Sequence, residues 1–256
     1  LKKTHSYVGK KERRLLMLTS ILCALIILCV FGMLYSNSQK NIYVSRHRET
    51  MQIANEVYVY LSRAEGTITN SAQIIDNMQQ RDEGLPAILN YLTEESRVYA
   101  QSIDSNFTGM YGVFDGTWLD GTGWEPDADY VPEERPWYLA AKEAGGQVAY
   151  VTPYLDAQTK TVMISLSRLL SDNKSVVSMD ISMDEIQRIV RKYSVNSDWD
   201  SIMILDGSFF SIAHSDPEQV GMSFSESEDT IGNAIYQSFS PGEDGYFTFR
   251  YDGKKY

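Results

Sequence analysis

Apolar and polar residues follow three different patterns along this chain of 256 residues, and each pattern predicts a different element. Residues 15–35 (LLMLTSILCALIILCVFGMLY) carry no charge and hardly a polar side chain. That is about the twenty residues a helix needs to cross ~30 Å of hydrocarbon, and it predicts a transmembrane helix. From about 40 to 80, Ala54, Val57, Leu61, Ala64, Ile68, Ala72, Ile75 and Met78 recur three and four apart with no proline between them. This spacing predicts one long amphipathic helix running on from the apolar one. Gly84-Leu85-Pro86 breaks it, and 87–103 resumes helical spacing through Ile88, Leu89, Leu92 and Val98.

The third pattern is short. Apolar or alternating runs at Met110–Phe114, 147–151, 162–170 and 175–181, separated by Gly, Pro, Asp and Asn, predict antiparallel strands. Pro136–Ala144 reads as a short helix opened by its proline, and 183–193 as an amphipathic one. The stretch 115–134, with four Asp and three Glu among Gly, Pro and Trp, is expected to be a long loop. Past it, 201–205 and 209–214 flank Asp206-Gly207, a hairpin-type turn. A helix at 229–239 and a strand at 246–251 follow, and Asp252-Gly253 is expected to turn a further hairpin. The class is α+β: a long N-terminal helix, then two modules built on antiparallel sheets, the second incomplete within these residues.

Charge orients the anchor. Lys10, Lys11, Arg13 and Arg14 crowd the N-terminal flank of 15–35, and the other flank has Lys40 alone, so the positive-inside rule puts residue 1 in the cytoplasm and everything after about 36 outside. Ser36 and Ser38 are small residues at a plausible cleavage spacing, but the apolar run is longer than a cleavable signal peptide needs. Of 23 Lys/Arg and 34 Asp/Glu in the chain, the first forty residues take seven and one, leaving 16 against 33 outside. A surface that acidic repels phosphate backbones and argues against nucleic acid. Cys23 and Cys29 both fall in the apolar run, and His5, His47 and His214 have no ligand spacing. Neither a disulfide scaffold nor a zinc site is expected, and no other cofactor motif is present.

Several side chains suit a zwitterion. In the run Tyr130 to Tyr138 (YVPEERPWY), the Arg135 fork matches a carboxylate and the Trp137 indole N–H adds a donor, beside a helix start whose dipole favours negative charge. An ammonium needs anionic acceptors backed by aromatic or phenolic groups, which Tyr154, Asp156 and Asp180 supply, with Tyr138 close in sequence. Taken singly, each has a structural reading: Arg135 paired with Glu133 or Glu134, Trp137 and Tyr138 in a core, Asp156 in a turn, Asp180 capping the helix at Met183. Together they form two complementary clamps within about fifty residues.

Tyr130…Arg135-Pro136-Trp137-Tyr138, then Thr152-Pro153-Tyr154-Leu155-Asp156, then Val176-Val177-Ser178-Met179-Asp180-Ile181, resemble the membrane-distal half of double Cache (dCACHE) sensor domains of the amino-acid-binding branch. The resemblance spans about 40–256. It implies a stalk and dimer helix over 36–80, a ligand-binding PAS-like module over 81–195 and a membrane-proximal one from 196. It further implies that Arg135 and Trp137 hold a ligand carboxylate while the Tyr and Asp residues hold its amino group. A homodimer is expected on the same ground, as is a cytoplasmic output of chemotaxis, histidine kinase or diguanylate cyclase type. The stretch 201–223 resembles the opening of the proximal module, where His214 is read as structural.

Two other functions stay open at this point. One is a sensor for amines or small carboxylates, using a single clamp. The other is an anchored hydrolase with Asp156 and Asp180 as its carboxylate pair, which Arg135 beside Trp137 suits less well. The ligand is expected to be an L-α-amino acid whose side chain is not readable. Trp118, Leu119 and Trp124 offer an apolar wall, and the acids of the same loop equally favour a cationic side chain.

Overall fold

The computed structural model describes residues 9–104, 107–155, 157–158, 162–195, 201–226, 230–239 and 247–256. They divide into two compact units, 1–52 and 53–256. The first helix, α1 (Lys10–Gln80), has residues in both. In the first unit, its large apolar side chains from Leu15 to Tyr35 are exposed. At 1.5 Å per residue this stretch measures about 30 Å, and it is long and apolar enough to cross a membrane.

In the second unit α1 buries Ile53, Val57, Tyr60, Ala64, Ile68, Ala72 and Ile75. The stripe matches the expected one at Val57, Ala64, Ile68, Ala72 and Ile75, whereas Ile53 is inward and Ala54 exposed, Tyr60 is buried beside a half-buried Leu61, and Met78 is half-buried. α2 (Leu85–Ser102) starts at the N-cap Gly84 with proline in its first turn and buries Ile88, Leu92, Ser96 and Tyr99. Both helices cover one face of a six-stranded antiparallel sheet. Its strands are β1 (Met110–Phe114), β2 (Thr117–Asp120), β3 (Val148–Tyr150), β4 (Tyr154–Leu155), β5 (Val162–Leu169) and β6 (Val176–Ser182). They lie in the order β2-β1-β6-β5-β3, with β4 also paired to β5.

Side-chain alternation gives the sheet two different faces. Met110 and Phe114 of β1 and Val177, Met179 and Ile181 of β6 join the core with α1 and α2. Tyr111, Val113 and Val176 join a second cluster beneath α3 (Pro136–Ala144), with Trp137 and Ala141. The expected loop 115–134 is thus partly strand: β2 pairs with β1, Tyr111 opposite Asp120 and Val113 opposite Trp118. A single 3-10 turn at Pro132–Glu134 then leads into α3.

β6 runs into α4 (Met183–Ser194), whose N-cap is Ser182, accepting from the Asp184 N–H at 3.0 Å. Asp180 is therefore not the helix cap. Gln187 of α4 holds the edge of the next hairpin, β7 (Met203–Leu205) and β8 (Ser211–His214). Its amide donates to the His214 carbonyl (2.6 Å) and accepts from the His214 N–H (2.9 Å). α5 (Ile231–Ser238), capped by Thr230, and the hairpin β9 (Arg250–Tyr251) and β10 (Lys254–Lys255) complete the described elements. His214, expected to be structural, is held by its neighbours. Its Nδ1 accepts from the Asp216 N–H (2.9 Å), its Nε2 faces the Ser201 hydroxyl (3.1 Å), and burial holds its pKa below the usual value.

Candidate functional site

The α3 face of the sheet carries the polar residues. Asp180 points to that face from β6 because the residues on either side of it, Met179 and Ile181, point to the other. It is 2% exposed, and its Oδ1 accepts from the Tyr111 hydroxyl at 2.8 Å and from Ser165, its cross-strand partner. The Tyr154 hydroxyl lies 2.8 Å from Ser165 and 3.4 Å from Tyr111. A carboxylate so buried needs polar partners, and these hydroxyls supply them. The Tyr111 hydroxyl is pushed well above its normal pKa by burial and then by Asp180, so it stays protonated and donates.

Arg135 stands across the cavity as the N-cap residue of α3. Its guanidinium lies between two rings, 5.3 Å from the centroid of Tyr130 and 5.9 Å from that of Tyr154. Its Nε is buried and has no hydrogen-bond partner among the described residues. The two rings thus hold the guanidinium while a donor stays unused among the described residues, a condition that a planar carboxylate relieves. Glu133 and Glu134 form no ion pair with it among the described residues.

Tyr111, Trp118, Asp120, Trp124, Tyr130, Arg135, Tyr154 and Asp180 line one inner cavity, with about 10 Å³ of free volume, room for one water. Of the residues expected from sequence, Tyr130, Arg135, Tyr154 and Asp180 meet there. Trp137 lies just behind: it is 1% exposed, its indole donates to the Tyr130 hydroxyl (3.3 Å), and its ring meets Tyr111 edge-on at 5.2 Å. The Tyr138 hydroxyl instead donates to the Lys174 carbonyl at 3.0 Å, bracing α3 against the β5–β6 turn. Asp156 lies outside the described residues. Trp118 and Trp124 form part of the wall, but Leu119 packs into the α1–α2 core.

Tyr111 and Asp120 of the cavity wall, and Ser165 bonded to Asp180 behind it, were not singled out from sequence. Tyr111 and Ser165 reach Asp180 only through strand pairing, across 69 and 15 residues. Asp120 was taken as one acid of a loop. Alternation along β1 was the one available sign for Tyr111.

No protein-family profile matches the chain. Among characterised proteins it is 31% identical over 98 residues, 38% of the chain, to the methyl-accepting chemotaxis protein McpB of Bacillus subtilis. It is 25% identical over 242 residues, 85% of the chain, to the methyl-accepting chemotaxis protein PctB of Pseudomonas aeruginosa. These matches cover 15% of McpB and 37% of PctB, less than half the length of either. Among solved structures, the ligand-binding domain of PctB in complex with L-arginine superposes with a TM-score of 0.63 at 23% identity, covering 84% of this chain and 86% of that one. The fold is that of a chemoreceptor ligand-binding domain. The isoleucine-bound sensory domain of the Campylobacter jejuni chemoreceptor Tlp3 shares this fold, with a TM-score of 0.61 at 18% identity over 88% of this chain and 87% of that one. The expected Cache-type architecture, a long helix leading into antiparallel sheet, is therefore met.

Proposed function

We propose that the chain is the anchor and extracytoplasmic sensing region of a membrane chemoreceptor, and that its cavity binds an L-α-amino acid. The observation that carries this reading is the pairing of opposites in one cavity: the buried Nε of Arg135, without a partner among the described residues, and the buried carboxylate of Asp180. Arg135 takes the ligand carboxylate, and Asp180 with Tyr154 takes the ammonium, joined by Asp156. Trp137 adds its N–H to the carboxylate once Tyr130 gives way, and Tyr138 holds α3 in place. The amino-acid complexes of PctB and Tlp3 support the same class of ligand.

The free volume of the inner cavity is smaller than any amino acid. Entry therefore requires Tyr130 and the segment before α3 to move outward, and occupancy selects that arrangement. The membrane helix at 15–35 with residue 1 inside, the stalk at 36–80, the distal module at 81–195 and the proximal one from 196 belong to this reading, as does a homodimer. The likeness to methyl-accepting chemotaxis proteins favours a chemotaxis output over a kinase or a cyclase. Sensors for amines or carboxylates alone would leave one clamp idle.

A thermal-shift screen of the chain in detergent micelles against the twenty L-amino acids tests the proposal. A ligand bound only by the folded state raises the melting temperature by mass action. At least one amino acid at millimolar concentration is expected to do so, and no response from any of the twenty would sink the reading.

A further inference from the structure

The cavity holds a carboxylate that the two clamps do not use. Asp120, the last residue of β2, is 5% exposed and lines the same cavity as Arg135 and Asp180. Its Oδ1 accepts from the Thr122 N–H (2.7 Å) and the Thr122 hydroxyl (2.6 Å), which fixes the side chain in place. Burial raises its pKa above the ordinary carboxylate value, with the Thr122 bonds working the other way. Trp118, two residues earlier on the same face of β2, meets Trp124 edge-on at 5.8 Å.

Trp124, Tyr130 and Arg135 also line an outer hollow of about 360 Å³. Three acids, Asp127, Asp129 and Glu134, stand on it. A zwitterion brings no net charge to the cavity. With its carboxylate on Arg135 and its ammonium on Asp180, the described charges facing its side chain are Asp120 within and these three acids at the mouth. The Trp faces along this route also attract cations.

We propose that the site selects amino acids with a cationic side chain, lysine- or arginine-like, and rejects anionic ones. The side chain runs past Asp120 toward the acidic hollow. This inference rests on the zwitterion reading above and goes beyond it by naming the ligand class. Asp120 acts as the inner selector, where low dielectric strengthens its field, and the outer acids add a weaker, salt-screened attraction.

The test is calorimetric titration of the chain in detergent micelles with near-isosteric pairs: L-lysine against L-norleucine, L-arginine against L-citrulline, and L-glutamine against L-glutamate. Each cationic member is expected to bind about tenfold tighter than its neutral partner, the scale of one partly shielded charge pair, with glutamate weakest of all. Asp120→Asn should bring the lysine-to-norleucine ratio toward one. Should that variant fail to fold, the surface triple D127N/D129N/E134Q should lower the same ratio, and 0.5 M salt should lower it in the unaltered protein. If norleucine and citrulline bind as tightly as lysine and arginine while Arg135→Ala abolishes all binding, the selectivity inference falls and the zwitterion clamp stands. If no amino acid binds, both fall.

Discussion

Arg135 is the position where a substitution separates recognition from folding. In the ligand-free protein its guanidinium makes two cation–π contacts, over Tyr130 and Tyr154. Each is worth about 0.5–1 kcal/mol, so Arg135→Ala should lower the stability of the free protein by about 1–2 kcal/mol. The same side chain would give the ligand carboxylate two charge-assisted hydrogen bonds, at about 1.5–3 kcal/mol apiece. Losing both weakens binding by roughly two to four powers of ten. Arg135→Lys retains the charge but not the planar fork, and should fall between the two. Denaturant unfolding of the free protein gives the first quantity, and calorimetric titration with an amino acid found in the screen gives the second. An alanine variant that folds and binds within about threefold of the unaltered protein would refute the role given to this residue, because losing even one such bond costs more than tenfold.

Gly121→Ala should destabilise the fold by about 1–3 kcal/mol and weaken ligand binding. Its Cβ would sit 2.5 Å from the Leu92 carbonyl oxygen and 2.6 Å from the Ser96 hydroxyl, forcing β2 and Asp120 away from α2; unchanged unfolding and binding curves would contradict this. His214 titrates below its usual 6.5 because burial disfavours its charged form, an effect that the backbone and charge of Asp216 partly offset. The unfolded chain therefore takes up a proton before the folded one, and stability falls as pH drops below about 6.5. His214→Gln should flatten that part of the melting-temperature profile, and parallel profiles would rule the mechanism out. Ile68→Ala removes a fully buried side chain where α1 meets the sheet and should lower unfolding free energy by about 2–5 kcal/mol, measurable in guanidinium.

What could be read from sequence was the part governed by local periodicity. α3 begins at Pro136 as its proline requires, and β1 spans Met110–Phe114 because an apolar run bounded by a glycine and an aspartate has few other uses. Alternation along β6 was enough to single out Asp180, and charge and planarity to single out Arg135. β2 was hidden because four residues flanked by Gly116 and Gly121, inside an acidic stretch, look like loop until β1 pairs with them. With it went Asp120, whose burial depends on the close approach of Gly121 to α2. The Tyr111 and Ser165 hydroxyls at Asp180 are products of register, which no local pattern encodes. The one-residue offset on α1, Ile53 in place of Ala54, has the same origin. Helical spacing defines a stripe, but the sheet it meets decides which edge of the stripe turns inward.

The central claim is that one cavity reads both ends of a zwitterion. The most direct measurement takes each amino acid that binds in the screen and titrates the protein with two relatives of it, the amine lacking the carboxylate and the acid lacking the amino group. With Arg135 and Asp180 as opposed clamps, each relative should bind at least a hundredfold more weakly than the amino acid, since each leaves a buried charge without its partner. An amine or an acid that binds as tightly as the parent amino acid would contradict the account.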